Sequence, residues 1–527
     1  MIYLLPIAYL VFATRRLLTL LHIFQQEEYD GPRFLCWIWN QKAFDRKATV
    51  LLLAIWAAGF ALSEQSWMYL PLAMSAALLG VAAVESNPLK DAKKKLVLTA
   101  RAKRILGLAL AMLAALSILL AVTRAPLALW ILMVQGIPLA LIAANAALHP
   151  YENYIQRGFW REAHEHLARV NPQIVGITGS FGKTSVKHIL SHVLEVKAAT
   201  LATPGSVNTP MGIARIVRER LTLQHRFFIC EMGAYGPGSI RRLCKLARPN
   251  IGVITALGQA HFERFGSLAT VAKTKFELAE EAIANGGRMI IAEQVLEVPY
   301  AREFVTARRN SFTIVGQGAD ADIRILALRQ TDKGIEIDLA PEGKPVTIKA
   351  PLFGSHQGPN LALAFAVAKA VGMADADIAL ALGSAPQVAH RLEVKRQQNG
   401  SVLIDDAYNS NPVGFANGLA ILDLLRSGEG RRILVTPGMV ELGAAHDAEH
   451  DKIGTLAGRY VDILLPIMPE RIQGLVDRYR AANPGGTVFP CRSFADASRW
   501  MNDNLRAGDA VLIENDLPDL YERKLSL

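Results

Sequence analysis

Cysteine is scarce: the 527 residues hold four, Cys36, Cys230, Cys244 and Cys491, at no spacing that suits a metal site or a short disulfide. A disulfide-stapled scaffold is excluded, and a reducing compartment with buried thiols fits. Charge is thin at 20% and aromatics reach only 7%, which removes the highly charged disordered class. There is no internal repeat and no low-complexity linker, so solenoids and tethered arrays drop out. Acidic residues are rarest in the first 150 positions, seven against 14 Lys/Arg, a balance of +7, leaving only +3 of the formal +10 for the rest. The basic excess sits beside hydrophobic stretches. That argues against nucleic acid as a partner and for anionic lipid and topology as its cause.

What the chain does have is length and long apolar runs. At 527 residues it exceeds a single core, and half of it is hydrophobic, with a mean hydropathy of +0.22. The excess lies in residues 1–150. Residues 2–14 are apolar, Arg15-Arg16 interrupts, and 17–24 resumes; positive charge after the apolar run suits an anchor rather than a cleaved signal. Residues 25–48 mix charge with Phe, Trp and Tyr as interfacial segments do. Runs at 49–63 and 69–85 form a helical hairpin, and runs at 105–122 and 126–148 follow. Five transmembrane helices are expected. The loop at 86–104 carries seven Lys/Arg, and the connections at 64–68 and 123–125 carry one between them. The positive-inside rule therefore puts residue 149 in the cytoplasm, beneath a bacterial-type inner (plasma) membrane.

From about 151 the pattern becomes α/β. Short β-rich runs at 173–177, 226–231, 250–255, 288–292 and 311–315 alternate with helical stretches such as 267–284, which predicts a parallel sheet covered on both faces. Residues 322–349 read as a small antiparallel insertion, and 360–372 as a helix. A second α/β pattern starts near 386, with strands at 401–405, 431–436, 461–466 and 510–514. The fold class is thus a membrane α-helical region (1–150), a P-loop parallel-sheet ATPase domain (151–385) and a smaller Rossmann-like α/β domain (386–527).

The densest chemistry is at 173–185, QIVGITGSFGKTS. An apolar strand runs into a glycine-spaced turn and a Lys-Thr pair that opens a helix. Gly179 and Gly182 let backbone N–H groups approach an anion. Lys183 can reach the outer phosphates, and Thr184 stands where a Mg²⁺ ligand is expected. The strict P-loop needs glycine at 177, where this chain has Ile, so the match is to the shorter T-G-x-x-G-K-T. Glu231 ends an apolar strand and is placed to hold Mg²⁺. His261, Lys273 and Lys275 follow.

The ordered segments ITGSFGKTS, SVNTPMG, CEMGA, AHFERFGS, VAKTKFE, GSHQGPN, HRLEV, DDAYNSNP and GMVELG resemble the Mur ligase family over about 165–527. The resemblance implies ATP-dependent joining of a carboxylate to an amino acid or peptide amine through an acyl phosphate. It implies nucleotide contacts at Thr178, Gly179, Ser180, Gly182, Lys183, Thr184 and Ser185. It further implies one Mg²⁺ on Thr184 and Glu231, and a second on His261 and a carbamylated Lys275, with Lys273 the near miss. Asn208 is matched to phosphate or metal contact, His356 and Asn360 to the adenine, and Arg391, Asp406, Tyr408 and Asn409 to the domain that closes on the nucleotide. Lys183, Lys275 and His261 carry the catalytic expectation.

The departure from the family is at the N-terminus, where a membrane region stands in place of a soluble UDP-sugar domain. A lipid-linked carboxylate is one reading, and spans that only anchor the enzyme are the other. A non-catalytic nucleotide-binding scaffold for envelope enzymes is a rival, which an intact two-metal residue set speaks against. A polyglutamate-type or secondary-metabolite ligase stays open. An ATP-driven transporter lacks a second nucleotide signature.

Overall fold

The computed structural model describes residues 4–61, 64–85, 87–90, 95–258, 265, 267–408, 410–440 and 442–515. The chain divides into two compact units, one built on Met1–Arg157 and one on Gly158–Asp516.

The first unit is helical: α1 (Leu4–Gln26), α2 (Gly31–Asn40), α3 (Arg46–Ala61), α4 (Leu70–Val84), α5 (Ala100–Val122) and α6, which starts at Ala128 and runs to Val170. Among the described residues four helices are long and apolar enough to cross a membrane, Leu4–Gln26, Trp67–Val84, Ala100–Val122 and Ala128–Val170, against the five expected. The one that drops out is α3. Its 16 residues rise about 24 Å, short of a hydrocarbon core of about 30 Å. Val50, Leu116, Ile118, Leu119, Leu132 and Leu139 are all exposed, apolar surface that water would penalise.

Two further expectations change. Arg15-Arg16 does not interrupt α1, because Arg16 turns inward, 4% exposed, and is neutralised there. Its Nε donates to Asp45 Oδ2 at 2.8 Å and its Nη1 to Glu85 Oε1 at 2.9 Å. A buried charge survives in an apolar setting only when paired in this way. The helix that carries the last apolar run does not end with it at 148. It continues as one 43-residue helix through Pro138 and Pro150.

The second unit holds two sheets. The first has nine strands: β1 (Gln173–Thr178), β2 (Thr200–Ala202), β3 (Phe227–Glu231), β4 (Ile251–Ile254), β5 (Arg288–Ala292), β6 (Phe312–Gly316), β7 (Ile323–Thr331), β8 (Gly334–Pro341) and β9 (Val346–Ala350), in the order β2-β3-β1-β4-β5-β6-β7-β8-β9. The segment expected as a small antiparallel insertion is antiparallel within itself, and it extends this sheet. β7 pairs in parallel with β6, and β8 and β9 then fold back antiparallel. The exposed, charged positions that set this stretch apart in sequence are those of an edge. The strand order reverses at β1, which lies between β3 and β4 although β2 and β3 follow it in sequence. Ligand crevices in such sheets open at the carboxyl ends of strands at that reversal.

The second sheet comprises β10 (Glu393–Arg396), β11 (Val402–Asp406), β12 (Arg432–Thr436), β13 (Ile463–Pro466), β14 (Thr487–Val488) and β15 (Ala510–Glu514), in the order β10-β11-β15-β12-β13-β14, with only β10 antiparallel. The four expected strands are there. β10 and β14 were not legible because they are short and partly exposed edge strands.

Candidate active site

The site grows from the end of β1. Thr178 is fully buried and its hydroxyl donates to the Met232 carbonyl at 3.0 Å, so it holds the strand end rather than facing solvent. The chain then turns through Gly179 (φ +153°) and Gly182 (φ +82°). A Cβ at Gly182 would stand 2.7 Å from Asn360 Oδ1, and one at Gly179 would collide with the Thr255 hydroxyl. Both positions need glycine. Ser180 pins the turn to the end of β4: its hydroxyl donates to the Gly258 carbonyl at 3.1 Å and accepts from the Gly258 amide at 3.0 Å. Helix Lys183–Lys197 starts directly after Gly182, an N-cap residue with no side chain to satisfy the first amides. Those amides are left for an anion. Ser185 is buried in that first turn.

Parallel pairing of β1 with β3 sets Ile177 opposite Glu231, which brings that carboxylate beside the turn. The Thr184 hydroxyl donates to Glu231 Oε2 at 3.1 Å. On the same oxygen, at 2.9 Å, is the Lys187 ammonium, with both side chains almost fully buried. Lys187 also donates to the Gly205 carbonyl. Among the described residues the other oxygen, Oε1, receives only a long contact from Asn208 Nδ2 at 3.4 Å, while Asn208 Oδ1 accepts from the Tyr235 hydroxyl at 2.7 Å. A threonine hydroxyl and a carboxylate with one oxygen largely uncommitted form a donor set that suits Mg²⁺.

Two lysines complete this face. Lys183 bends back so that its ammonium donates to the Gly179 carbonyl at 2.7 Å. Burial pushes its pKa down to about 8, against the upward pull of Glu231. Lys275 is 5% exposed on helix Leu268–Ala284. Its pKa lies well below the usual amine range, first because of burial and then because of the nearby Lys183 charge. Lys273, two residues earlier, is exposed and lies over the Tyr300 ring at 5.8 Å. The fold thus separates by burial the two lysines that only the resemblance had told apart.

The far wall comes from helix Gln357–Ala370 and the second sheet. Asn360 is buried, faces Gly182, and donates to Gln357 Oε1 at 3.0 Å. His356 has a buried Nδ1 with no hydrogen-bond partner among the described residues; burial and then Arg391 push it down to about 4, so it is neutral at pH 7. Arg391 stacks over the Tyr408 ring at 4.4 Å, and the Tyr408 hydroxyl meets that of Ser206 across the cleft. Asp406 is buried and its pKa is pushed up to about 6, mainly by burial. Its register partner Glu514 is fully buried, with one oxygen accepting from Ser410 at 2.5 Å and the other without a partner among the described residues. His390, Glu393 and Asp405 cluster with metal-ligand chemistry. Lys395 already neutralises them, 2.9 Å from Glu393 and 3.0 Å from Asp405. His261 and Asn409 lie outside the described residues.

Comparison with known proteins matches this architecture. A profile of the Mur ligase middle domain fits residues 177–368, and one of the Mur ligase glutamate ligase domain fits 390–514. The UDP-N-acetylmuramoyl-tripeptide–D-alanyl-D-alanine ligase of Mycobacterium leprae is 33% identical over 370 residues, covering 65% of this chain and 70% of the relative. This chain belongs to the Mur ligase family. Enzymes of the same name from Mycobacterium tuberculosis and Escherichia coli are 34% and 32% identical over 290 and 289 residues, 54% and 55% of this chain. The chain spans 56% and 63% of their lengths. In fold it is similar to the MurF ligase of Thermotoga maritima solved with ADP, with a TM-score of 0.59 and 23% identity over 70% of this chain and 82% of that one.

Within this Mur ligase the residues that sequence reasoning missed are Lys187, Tyr235, Ser206 and Glu514. Lys187 had a usable signal: it falls one helical turn after Lys183 on the same helix, so it faces the same side. Glu514 had none, because only strand register pairs it with Asp406. Gly182→Ala is expected to lower stability by about 1–2 kcal/mol, the order of cost of a left-handed backbone at a residue with a Cβ, and to abolish nucleotide binding. Denaturation and a fluorescent-nucleotide titration check the two effects. Unchanged affinity would mean that the Asn360–Gly182 contact does not shape the phosphate turn.

Proposed function

We propose that the second unit is an ATP-dependent carboxylate–amine ligase and that the first anchors it in a membrane with the catalytic unit in the cytoplasm. The observation that carries the reading is the convergence of Lys183, Thr184 and Glu231 on a glycine turn at the strand-order reversal, with a buried, depressed lysine, Lys275, close enough to feel the Lys183 charge. A scaffold needs none of these costly burials.

In this reading the glycine turn and first helix amides hold the β- and γ-phosphates of ATP, and Lys183 neutralises the γ-phosphoryl group as it moves. A substrate carboxylate oxygen attacks the γ-phosphorus, giving an acyl phosphate and ADP. An amine nitrogen then adds to the acyl carbon, loses a proton, and expels phosphate to leave an amide. Thr184 and Glu231 would hold Mg²⁺, which when bound shields the crowded phosphate charges. Because the amine of Lys275 is depressed by burial, its neutral form is accessible for reaction with CO₂. The carbamate would turn a cation into a ligand for a second Mg²⁺, with His261 as its partner. Asn208 holds the Glu231 face, His356 and Asn360 border the adenine, and Arg391, Asp406, Tyr408 and Asn409 close over the nucleotide.

In this reading, which the names of the relatives support, the substrates are a UDP-linked muramoyl peptide and D-alanyl-D-alanine and the chemistry belongs to cell-wall precursor synthesis. The helical unit supports delivery at a membrane, so a polyprenyl-linked carboxylate is the second reading. The test is amine-dependent release of ADP and phosphate by the full-length protein in detergent or nanodiscs, with soluble UDP-peptide and polyprenyl-linked acceptors compared. No ADP release with any acceptor–amine pair would overturn the ligase reading. Removing bicarbonate and CO₂ is expected to lower turnover at least about tenfold and reversibly, as loss of a metal-ligand network does. Indifference to CO₂ would remove the carbamate from the scheme.

A further inference from the structure

The carboxyl ends of β11 and β15 hold two acids, of which the scheme above uses only Asp406. Asp406 and Glu514 are register partners in a parallel pair, so their side chains leave the same face of the sheet from backbones about 4.8 Å apart. Asp406 is 7% exposed and Glu514 0%. The neighbours of the pair offer hydrogen bonds: the Ser410 hydroxyl donates to Glu514 Oε1 at 2.5 Å, and the Leu392 amide to Asp406 Oδ1 at 3.2 Å. Glu514 Oε2 is buried with no partner among the described residues. It is aimed at helix Pro412–Leu425, where a Cβ on Gly418 would stand 3.1 Å from it.

Other buried acids of this unit are neutralised by a cation. Glu231 has Lys187, Asp405 has Lys395, and Asp509 has Arg431. Glu514 has no such cation among the described residues; the groups that act on its charge are Asp406 and the Ser410 hydroxyl. Arg391 and Asp405 act in turn on Asp406, and Asp405 alternates to the opposite face, where His390 and Lys395 meet it. On the other side of β15, β12 ends in Thr436, which does not titrate. The one acid of helix Pro412–Leu425, Asp423, is taken by Arg432. Two anions so placed, both out of water, do not ionise together. Burial first and Asp406 second raise the Glu514 carboxyl well above its usual range.

We infer that Glu514 stands as a neutral carboxylic acid and is a positioning residue, fixing Asp406 and Ser410 so that Tyr408 is carried between them against the nucleotide. The inference rests on the proposed function, which lays Asp406 and Tyr408 over the nucleotide. β15 supplies both attachments: the Asn515 amide donates to the Asp406 carbonyl at 3.1 Å, and Glu514 takes the Ser410 hydroxyl. Tyr408 in turn carries Arg391 over its ring at 4.4 Å. As a neutral acid Glu514 holds Ser410 without repelling Asp406. As a carboxylate it would push Asp406 away and release both attachments. The sign follows: the arrangement is complete while the pair keeps its shared proton and is lost as pH rises and that proton leaves.

The experiment compares the full-length protein in detergent with Glu514→Gln, which keeps the shape and stays neutral, and with Glu514→Ala. The infrared difference spectrum at neutral pH, wild type minus Glu514→Gln, is expected to show the carbonyl stretch of a protonated carboxylic acid. A carboxylate band in its place overturns the proposal. Titration with a fluorescent ATP analogue reads the positioning. The ratio of Kd values, wild type over Glu514→Gln, is expected to grow about tenfold between about pH 6.5 and about pH 9, the worth of one buried hydrogen bond. Lys183, with its pKa at about 8, titrates in both proteins and cancels in that ratio. A flat ratio overturns the proposal. Glu514→Ala leaves Ser410 without its acceptor and is expected to bind about tenfold more weakly than Glu514→Gln at acid pH; equal affinity overturns the positioning role, and if this variant does not fold, the Gln comparison decides. A wild type that binds no nucleotide overturns the proposed function and the positioning role with it. The infrared band needs no nucleotide, so it tells that failure from the failure of the neutral acid.

Discussion

Lys183→Met is expected to lower ATP-dependent amide formation by about 10²–10³-fold, the range for losing one preorganised electrostatic contact to a developing transition state. Methionine keeps the length and the apolar stem, so the loss isolates the charge. Lys183 is held over the turn by the Gly179 carbonyl at 2.7 Å, which keeps the ammonium where the outer phosphates arrive. With its pKa at about 8 in the empty site, the group is still mostly protonated at neutral pH, and a bound polyphosphate stabilises that form further. Lys183→Arg is not expected to rescue, because a planar guanidinium cannot fold back onto the same carbonyl. Steady-state ADP release and nucleotide titration separate the effects. A variant that turns over within threefold of wild type would show that the phosphoryl group is neutralised elsewhere, and the assignment of this turn as the catalytic phosphate loop would fall.

The second large effect concerns Lys187 and Glu231. Their ion pair is almost completely buried, at 2.9 Å. Breaking such a pair from one side leaves an uncompensated charge and costs about 3–5 kcal/mol. Lys187→Met should therefore destabilise the nucleotide-free second unit by that order. The sign with metal is the sharper test. If Glu231 is the Mg²⁺ carboxylate, saturating Mg²⁺·ADP supplies the missing positive charge, and the deficit of Lys187→Met should shrink relative to wild type under the same conditions. Glu231→Gln strands the Lys187 ammonium instead, and Mg²⁺·ADP should not repair it. The double variant should recover much of the stability, since neighbours in one pair do not add, while staying inactive. Urea unfolding followed by tryptophan fluorescence, with and without Mg²⁺·ADP, reads all four states. Equal rescue of both single variants by Mg²⁺·ADP would remove Glu231 from the metal site.

Much of the architecture could be read from the chain because it is written in local pattern. Apolar runs with basic flanks marked the helical unit, and short β-rich runs between helical stretches marked two parallel sheets. The glycine-spaced turn with Lys183 and Thr184 carries its chemistry in consecutive residues, so no tertiary information was needed to find it. Glu231 was legible for a related reason: a carboxylate ending a buried strand is anomalous unless something uses it.

What local pattern could not show is what depends on register and helix rotation. Arg16 looked like a break in an apolar run. It is a buried cation because Asp45 and Glu85, 29 and 69 residues away, close on it. Residues 322–349 read as a small antiparallel insertion, and only the hydrogen bonding of β7 to β6 showed that they form the edge of the main sheet. Lys273 and Lys275 are two residues apart, and only the family resemblance favoured Lys275. One turn of helix Leu268–Ala284 faces Lys275 into the protein and Lys273 onto Tyr300. Lys187 went unread until β3 brought Glu231 against it, and Glu514 was silent until β15 paired with β11. The sequence by itself determined the element types, the phosphate turn and the family. Which side chains are buried, paired and shifted in pKa was decided by the tertiary structure, because desolvation and ion pairing depend on distances that neighbours in sequence do not set.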